Sequence, residues 1–249
     1  MKGYRQWFLG LVKRAIYDYA MIKIGDRVAV GISGGKDSTS LLHALWLVSR
    51  TTPLVFGLEA VYIDLGFGAD ISAVEAACRE RGIPFHTVKT EIGAAVKESL
   101  ERGSPCALCA HLRRGALNNA ARGLGCGAVA LGHHLDDAIE TFFMSLFYNG
   151  QFRTFAPVTF LDRANLRMIR PLIYLTAKDV SYWAKTENLP AVENPCPASG
   201  RTAREEARRL VEELAERYPD LRLRFLNAFK THDPRNLWPA PLPKKRGET

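Results

Sequence analysis

The chain has 249 residues, 47% of them hydrophobic, enough for one α/β domain with a sizeable core and a small appendage. It has no run of eighteen apolar residues, and Met1 to Ile24 carries Lys2, Arg5, Lys13, Arg14, Asp18 and Lys23, which excludes a membrane span or secretory signal there and makes a cytoplasmic location the expectation. The net charge of +8 fits a polyanionic partner and an ordinary basic surface equally, and five cysteines, an odd number, favour metal or redox chemistry at any close pair over a disulfide framework.

Tyr4 to Met21 spaces Trp7, Phe8, Leu11, Ala15, Ile16 and Tyr19 with helical period and predicts an amphipathic helix, ended by Gly25 and Asp26. Val28 to Ile32 is the short apolar run of a parallel strand buried on both faces, and a helix is predicted from Asp37 to Val48. The alternation continues with strands at 58–63, 85–88 and 128–131 and helices at 71–81, 94–101 and 135–148. A parallel sheet with helices on both faces is the fold class expected. The pattern weakens between Gly150 and Arg167. Thr176 followed by Asp179 predicts a capped helix to Glu187, a charged helix is expected at 202–217, and the Pro-rich, basic tail is expected to be disordered. The division expected is an N-terminal helix (1–24), the α/β domain (25–171), a helical extension (172–235) and the tail (236–249). There is no internal repeat.

Ser33-Gly34-Gly35-Lys36-Asp37-Ser38 falls between the first strand and its helix. Two glycines let the backbone approach a ligand closely, and successive N–H groups at a helix N-terminus form a cradle for anions. Lys36 adds a cation and the serines add hydroxyls. Asp37 fits beside a phosphate if it holds Mg²⁺ or caps the helix. A tight turn with ordinary capping is the bland alternative; six positions directly after a buried strand favour a nucleotide site, and the spacing is not that of a Walker loop.

This segment resembles the Ser-Gly-Gly-x-Asp-Ser signature of the PP-loop, or N-type, ATP pyrophosphatases, which adenylate a carbonyl oxygen and release pyrophosphate. A second motif runs from Leu131 through Gly132, His133, His134, Leu135, Asp136 and Asp137 to Glu140 and Thr141, at the carboxyl end of a predicted strand where open parallel sheets bind ligands. It resembles the Gly-His-x-x-Asp-Asp motif of the tRNA-modifying branch. The resemblance places Gly132 and His133 against ATP, Asp136 or Asp137 near Mg²⁺, and makes Lys36, Asp37, Asp136 and Asp137 the catalytic set. For His134 and Glu140, helix capping and dipole compensation are equally good readings. Asp64, ending the second strand, is placed to receive adenosine, a weaker indication.

Cys106 and Cys109 form a Cys-x-x-Cys just before a helix, and Cys196 follows 87 positions later. Two such thiols can serve one metal or form a redox pair. Cys78, in a predicted helix, and Cys126, just before a strand, read as buried small apolar residues. With His111-Leu112-Arg113-Arg114-Gly115 and Ile169-Arg170-Pro171-Leu172, the order of motifs from about residue 4 to 230 resembles the tRNA 2-thiocytidine synthetases (TtcA). That family is implied to place sulfur on C2 of cytidine 32, using ATP, Mg²⁺ and a [4Fe-4S] cluster held by positions matching Cys106, Cys109 and Cys196. Where the family often has a further cysteine, this chain has Ser199.

The implied partners are tRNA, a sulfur donor such as a cysteine desulfurase or sulfide, and a second copy of the chain. Arg113, Arg114, Arg201 and Arg204 are the candidate RNA contacts, positioning a flipped base through phosphates. Arg208 and Arg209 read at least as well as a solvated face paired with Glu205, Glu206, Glu212 and Glu213. Thiolation of another tRNA base, or another sulfur transfer by the same chemistry, is an alternative on the same scaffold, and two further rival functions share these residues. One is a PP-loop enzyme with an amine nucleophile and structural cysteines; the other is a zinc-dependent RNA-binding module with His111 as the fourth ligand.

Overall fold

The computed structural model describes residues 2–99, 105–192, 203–231 and 233; Cys196, Arg201, Ser199 and the tail expected to be disordered lie outside them. Six strands form one sheet in the order β3-β2-β1-β4-β6-β5. Its central strands are β1 (Arg27–Ile32), β2 (Gly57–Asp64) and β4 (Ala128–Ala130), with β3 (Phe85–Lys89) at one side. All of these and β6 (Leu166–Ile169) run parallel, as the alternating pattern requires. The other edge departs from the expectation, because β5 (Val158–Leu161) pairs antiparallel with β6. A single 3₁₀ turn at Asp162–Ala164 and Asn165 in a left-handed conformation (φ 48°) close this hairpin. Its strands are four residues long and β5 is a partly exposed edge with Phe160 in solvent, so the apolar signal that marks the central strands is missing here.

The period of two along each strand divides the core. Val28, Val30, Ile32, Ala60, Tyr62, Ala128, Ala130 and Ile169 point into one cluster, and Ala29, Val61, Ile63 and Val129 into another. The first cluster is covered by α1 (Lys2–Asp18), α2 (Lys36–Thr51), α3 (Ser72–Glu80) and α7 (Ala177–Thr186). Helix α2 lies between the sheet and helices α1 and α7, so Leu41, Ala44 and Leu45 are fully buried. Phe8 of α1 stacks flat on Trp183 of α7 with centroids 4.2 Å apart, which ties both chain-distant helices into this layer. The second cluster is covered by α4 (Ile92–Ser99) and α5 (Pro105–Gly123).

A third, smaller cluster stands apart from the sheet faces. There α6 (Leu135–Asn149) packs through Leu135, Ile139 and Phe143 on Val211 of α8 (Ala203–Arg217) and on Phe225, Leu226 and Phe229 of α9 (Leu221–Thr231). Helix α9 has no counterpart in the sequence reading, although its apolar residues recur with helical period. Thr176 does cap α7, in a reciprocal box with Asp179. No described helix is long and apolar enough to cross a membrane.

Candidate functional site

The first motif is a turn that satisfies itself and leaves the helix end open. Ser38 Oγ donates to the Gly35 carbonyl (2.8 Å) and accepts the Ser33 N–H (3.1 Å), so a single hydroxyl joins the end of β1 to the start of α2. Since that proton is used, the Ser33 hydroxyl is the donor in the 3.1 Å Ser33–Ser38 contact, and it accepts the Gly35 N–H at 3.3 Å. Gly34 has φ +84°, a conformation that side chains rarely adopt. Helix α2 starts at Lys36 with Gly35 as N-cap and no side-chain cap, so capping by Asp37 is not its role here. The first-turn N–H groups and helix dipole are thereby directed at an anion. Lys36 Nζ donates to Asp37 Oδ1 at 2.8 Å, and both side chains are partly exposed beside the turn.

Gly132 presses the second motif against the first. A Cβ there would lie 2.9 Å from the Asp37 carbonyl carbon and oxygen and 3.1 Å from the Ser38 nitrogen, so only glycine lets the chain leaving β4 run against the first turn of α2. The segment after α7 closes on the same turn, where the Val192 N–H donates to the Gly34 carbonyl at 2.9 Å.

Beyond Gly132, the His133 ring is half-buried against Phe155 (centroids 5.1 Å), and its Nδ1 is buried with no partner among the described residues. Burial, above all, lowers its pKa to about 4, so the imidazole is neutral near pH 7. His134 is the N-cap of α6: its Nδ1 accepts the Asp137 N–H and Asp137 Oδ2 accepts the His134 N–H at 2.9 Å. The capping reading of His134 therefore holds.

The paired aspartates differ. Asp136 is buried, with Oδ2 accepting the Ala177 N–H (2.8 Å) and Oδ1 accepting Arg222 Nε (2.6 Å), so it fastens α6 to α7 and α9. Asp137 keeps one oxygen free of strong bonds; its Oδ1 lies 3.6 Å from Arg204. Asp64, at the end of β2, accepts the Gly66 N–H at 2.9 Å.

Helix α5 brings the cysteine pair to this end of the sheet. Leu117 lies against Gly31 near the end of β1, while Arg27, at the strand's start, donates to the Leu124 carbonyl just past the helix. The helix thus runs antiparallel to the strands, and Cys106 and Cys109, two to three turns before Leu117, stand above the strands' carboxyl ends. They lie within the first five residues of the helix and not in the stretch before it. Three residues apart, they share one helix face, exposed and half-buried respectively. Arg113, one turn on, is near enough to Tyr62 to bear on its hydroxyl, and Arg114 bears likewise on Arg170. Cys78 and Cys126 are buried, and burial pushes both thiols up to about 11, in keeping with their reading as apolar residues.

A family model described as PP-loop domain matches residues 12–214. A tRNA-cytidine(32) 2-sulfurtransferase of Syntrophotalea carbinolica is 41% identical over 236 residues, covering 93% of this chain and 91% of that protein. The chain belongs to the PP-loop family, and within it to the tRNA 2-thiocytidine synthetases. A tRNA-cytidine(32) 2-sulfurtransferase of Geobacter sulfurreducens is 36% identical, covering 91% of this chain and 90% of its own. Among solved structures, the U34-tRNA thiolase NcsA from Methanococcus maripaludis with its [4Fe-4S] cluster matches the fold with a TM-score of 0.76, at 22% identity over 92% of this chain and 80% of that one.

The groups this PP-loop family implies can be tested against the residues present. The uncapped α2 terminus, the left-handed Gly34 and the unpartnered His133 Nδ1 fit a nucleotide. Among the described residues no group of three His, Cys, Asp or Glu side chains is placed to hold a metal ion. Two thiols on one face of α5 fit a thiolate-bound cluster completed by a third cysteine.

Two residues were missed. Arg222 lies on the unassigned α9; the apolar positions 221, 223, 225, 226 and 229 were the available signal. Arg170 is buried, donates to the Ala156 carbonyl (2.6 Å) and Thr159 Oγ1 (3.3 Å), and lies 4.7 Å above the Phe155 ring that supports His133. A charge inside the apolar run Met168 to Leu172 marked it. The predicted surface pairing of Arg208 with Glu205 exists (3.4 Å), but Arg208 also reaches the buried Glu140 at 3.2 Å. Burial, first, and Asp137, second, raise the Glu140 pKa.

Proposed function

We propose that the protein thiolates tRNA, adenylating the C2 carbonyl oxygen of cytidine 32 with ATP and replacing it with sulfur. The observation that carries this reading is the close approach of Gly132 to the backbone of Asp37 and Ser38, which brings the start of the second motif against the anion cradle. The C2 oxygen attacks the α-phosphorus, the bond to the bridging oxygen breaks, and pyrophosphate leaves. The α2 terminus and Lys36 hold the departing phosphates, and Ser33 and Ser38 set the turn that presents them. Asp37 and Asp137 would hold Mg²⁺, which would neutralise the phosphates when bound, since Asp136 spends both oxygens within the protein. Asp64 and Gly132 position the nucleotide, and the neutral His133 offers its Nδ1 to it. A sulfide nucleophile then attacks C2, the C2–O bond breaks, AMP leaves and a proton is lost.

Cys106, Cys109 and Cys196 would hold the [4Fe-4S] cluster, which supplies sulfur handling when bound. Cys196 follows Val192, which is bonded to the loop, by four residues in the sequence. Arg113, Arg114, Arg201 and Arg204 contact the RNA backbone; a cysteine desulfurase or free sulfide supplies sulfur, and the working form is a homodimer.

Anaerobic protein incubated with unmodified tRNA, ATP, Mg²⁺ and sulfide should yield 2-thiocytidine by nucleoside mass spectrometry, with AMP and pyrophosphate in equal amounts. Cys106→Ala, Cys109→Ala or Cys196→Ala should remove both iron and thiolation, while Cys78→Ala and Cys126→Ala keep both. ADP as the main product, or full thiolation by iron-free protein, would overturn the reading.

A further inference from the structure

Two residues expected to serve different ligands are in contact. Arg204, a candidate RNA contact at the start of α8, faces Asp137, the motif carboxylate left to the reacting centre, at 3.6 Å. One turn on, Arg208 bonds the buried Glu140 at 3.2 Å, so two rungs join α8 to α6. The inner rung is anchored on a carboxylate that is almost wholly buried, and it holds α8 in register. The outer rung is loose. Its distance exceeds the 2.7–2.9 Å or so of a strong charge-assisted hydrogen bond, and the Arg204 side chain is 43% exposed while that of Asp137 is 13% exposed. By contrast, Arg222 and Asp136, on the adjacent carboxylate, meet at 2.6 Å with both groups largely buried.

A phosphate reaching this surface finds an accessible guanidinium and binds it with two parallel hydrogen bonds. The pair it displaces is long and open to solvent on the Arg204 side, so the exchange is worth a few-fold in an equilibrium. Asp137 stays in place meanwhile, because its other oxygen is fixed by the His134 N–H in the cap of α6.

We propose that Arg204 is a positioning residue that couples RNA docking to the reacting centre: in the RNA-free protein it covers the Asp137 carboxylate, and a backbone phosphate of the RNA takes its guanidinium and bares that oxygen. This rests on the thiolase reading above. The coupling is reciprocal, so Asp137 must compete with RNA for Arg204.

The test is a double-mutant cycle on full-length protein, with affinity for an unmodified tRNA transcript containing cytidine 32 measured by fluorescence anisotropy without ATP. Asp137→Asn keeps an acceptor for the His134 N–H and the shape of the cap, yet it should tighten tRNA binding about three- to fivefold while abolishing AMP formation. Arg204→Ala should weaken binding, and in that background Asp137→Asn should change nothing. Glu205→Gln, which also removes a negative charge from this surface, should tighten binding by less than twofold. If Asn disturbs the cap, as a lowered melting temperature would reveal, Asp137→Ser supplies the same comparison. Equal tightening by Asp137→Asn and Glu205→Gln, or a gain that persists without Arg204, would overturn the exchange and leave the thiolase reading standing. If the unaltered protein fails to bind tRNA at all, both fall together.

Discussion

The loop after β1 and the helices α6, α8 and α9 both present polar groups to the same end of the sheet, but they are held in opposite ways. In the loop the side-chain bonds span at most five residues, with Ser33, Gly35 and Ser38 satisfying one another and the open helix terminus facing outward; one long-range backbone bond, from the Val192 N–H to the Gly34 carbonyl, closes on it. In the helical cap the corresponding bonds span 67 to 86 residues, Arg204 to Asp137, Arg208 to Glu140 and Arg222 to Asp136. A site assembled from local backbone geometry is rigid and present as soon as the strand and helix exist. One assembled from distant ion pairs depends on packing of separate helices, and its charges can be exchanged for those of a ligand.

The largest expected effect strikes the point where the two regions meet. Gly132→Ala must push the chain off the first turn of α2, since a Cβ cannot stand 2.9 Å from backbone atoms of Asp37. A displacement of about 1 Å in such a site lowers the rate on the order of 100-fold. AMP release in the presence of tRNA should fall by that factor, with stability reduced by about 1–3 kcal/mol from overpacking. Gly150→Ala is the contrast: that residue caps α6 in the left-handed region with open space around it, so it should cost about 1–2 kcal/mol and leave AMP formation nearly unchanged. Equal activity losses would mean that Gly132 is merely another strained glycine.

What could be read from the sequence follows the same division. The central strands were legible because Val28 to Ile32 and Ala128 to Ala130 are apolar on both faces, and the loop was legible because its residues are consecutive. His134 could be suspected as a cap from its place before Asp137. Nothing local marked Arg222 as the partner of Asp136, because the pairing exists only once α9 folds back on α6. The β5–β6 hairpin escaped for a different reason: an edge strand with Phe160 in solvent shows no clean alternation. Arg170 lay in a motif whose order was recognised, but a guanidinium placed over Phe155 is a three-dimensional fact.

The cap can also be broken without touching the loop. Arg222→Met leaves Asp136, which is almost fully buried, with one oxygen unpaired, and loss of one partner of such a pair costs about 2–4 kcal/mol. For a chain of this size that is a fall of about 6–12 °C in melting temperature. Asp136→Asn added to Arg222→Met should recover part of the loss, because no buried charge is then stranded. Arg79→Met removes an exposed pair with Glu75 on α3 and should move stability by less than about 0.5 kcal/mol. Calorimetry on the four proteins decides it; equal effects of Arg222→Met and Arg79→Met would show that α9 is not fastened to the motif.

The smallest expected effect concerns the half-buried ring that follows the close-packed glycine. His133 follows Gly132 directly, and burial holds its folded-state pKa near 4, below the value of about 6.5 for the unfolded chain. Neither state binds a proton here above pH 7.5, so the residue then has no influence on stability. As pH falls through 6.5 the unfolded chain takes up a proton that the folded one refuses, and stability declines until about pH 4, where both are protonated. The full shift corresponds to about 3 kcal/mol, and partial solvent access reduces the expected loss to about 1–2 kcal/mol. His133→Gln removes the ring from this balance. Urea unfolding between pH 7.5 and 4.5 should therefore show the variant losing about 1–2 kcal/mol less than the unaltered protein across that interval, with the difference opening below pH 6.5. His43, also buried and also lowered mainly by burial, contributes a decline of the same sign, but it is present in both proteins and cancels in the difference. Parallel curves would mean that the His133 ring is open to solvent and that Phe155 and Arg170 do not hold it.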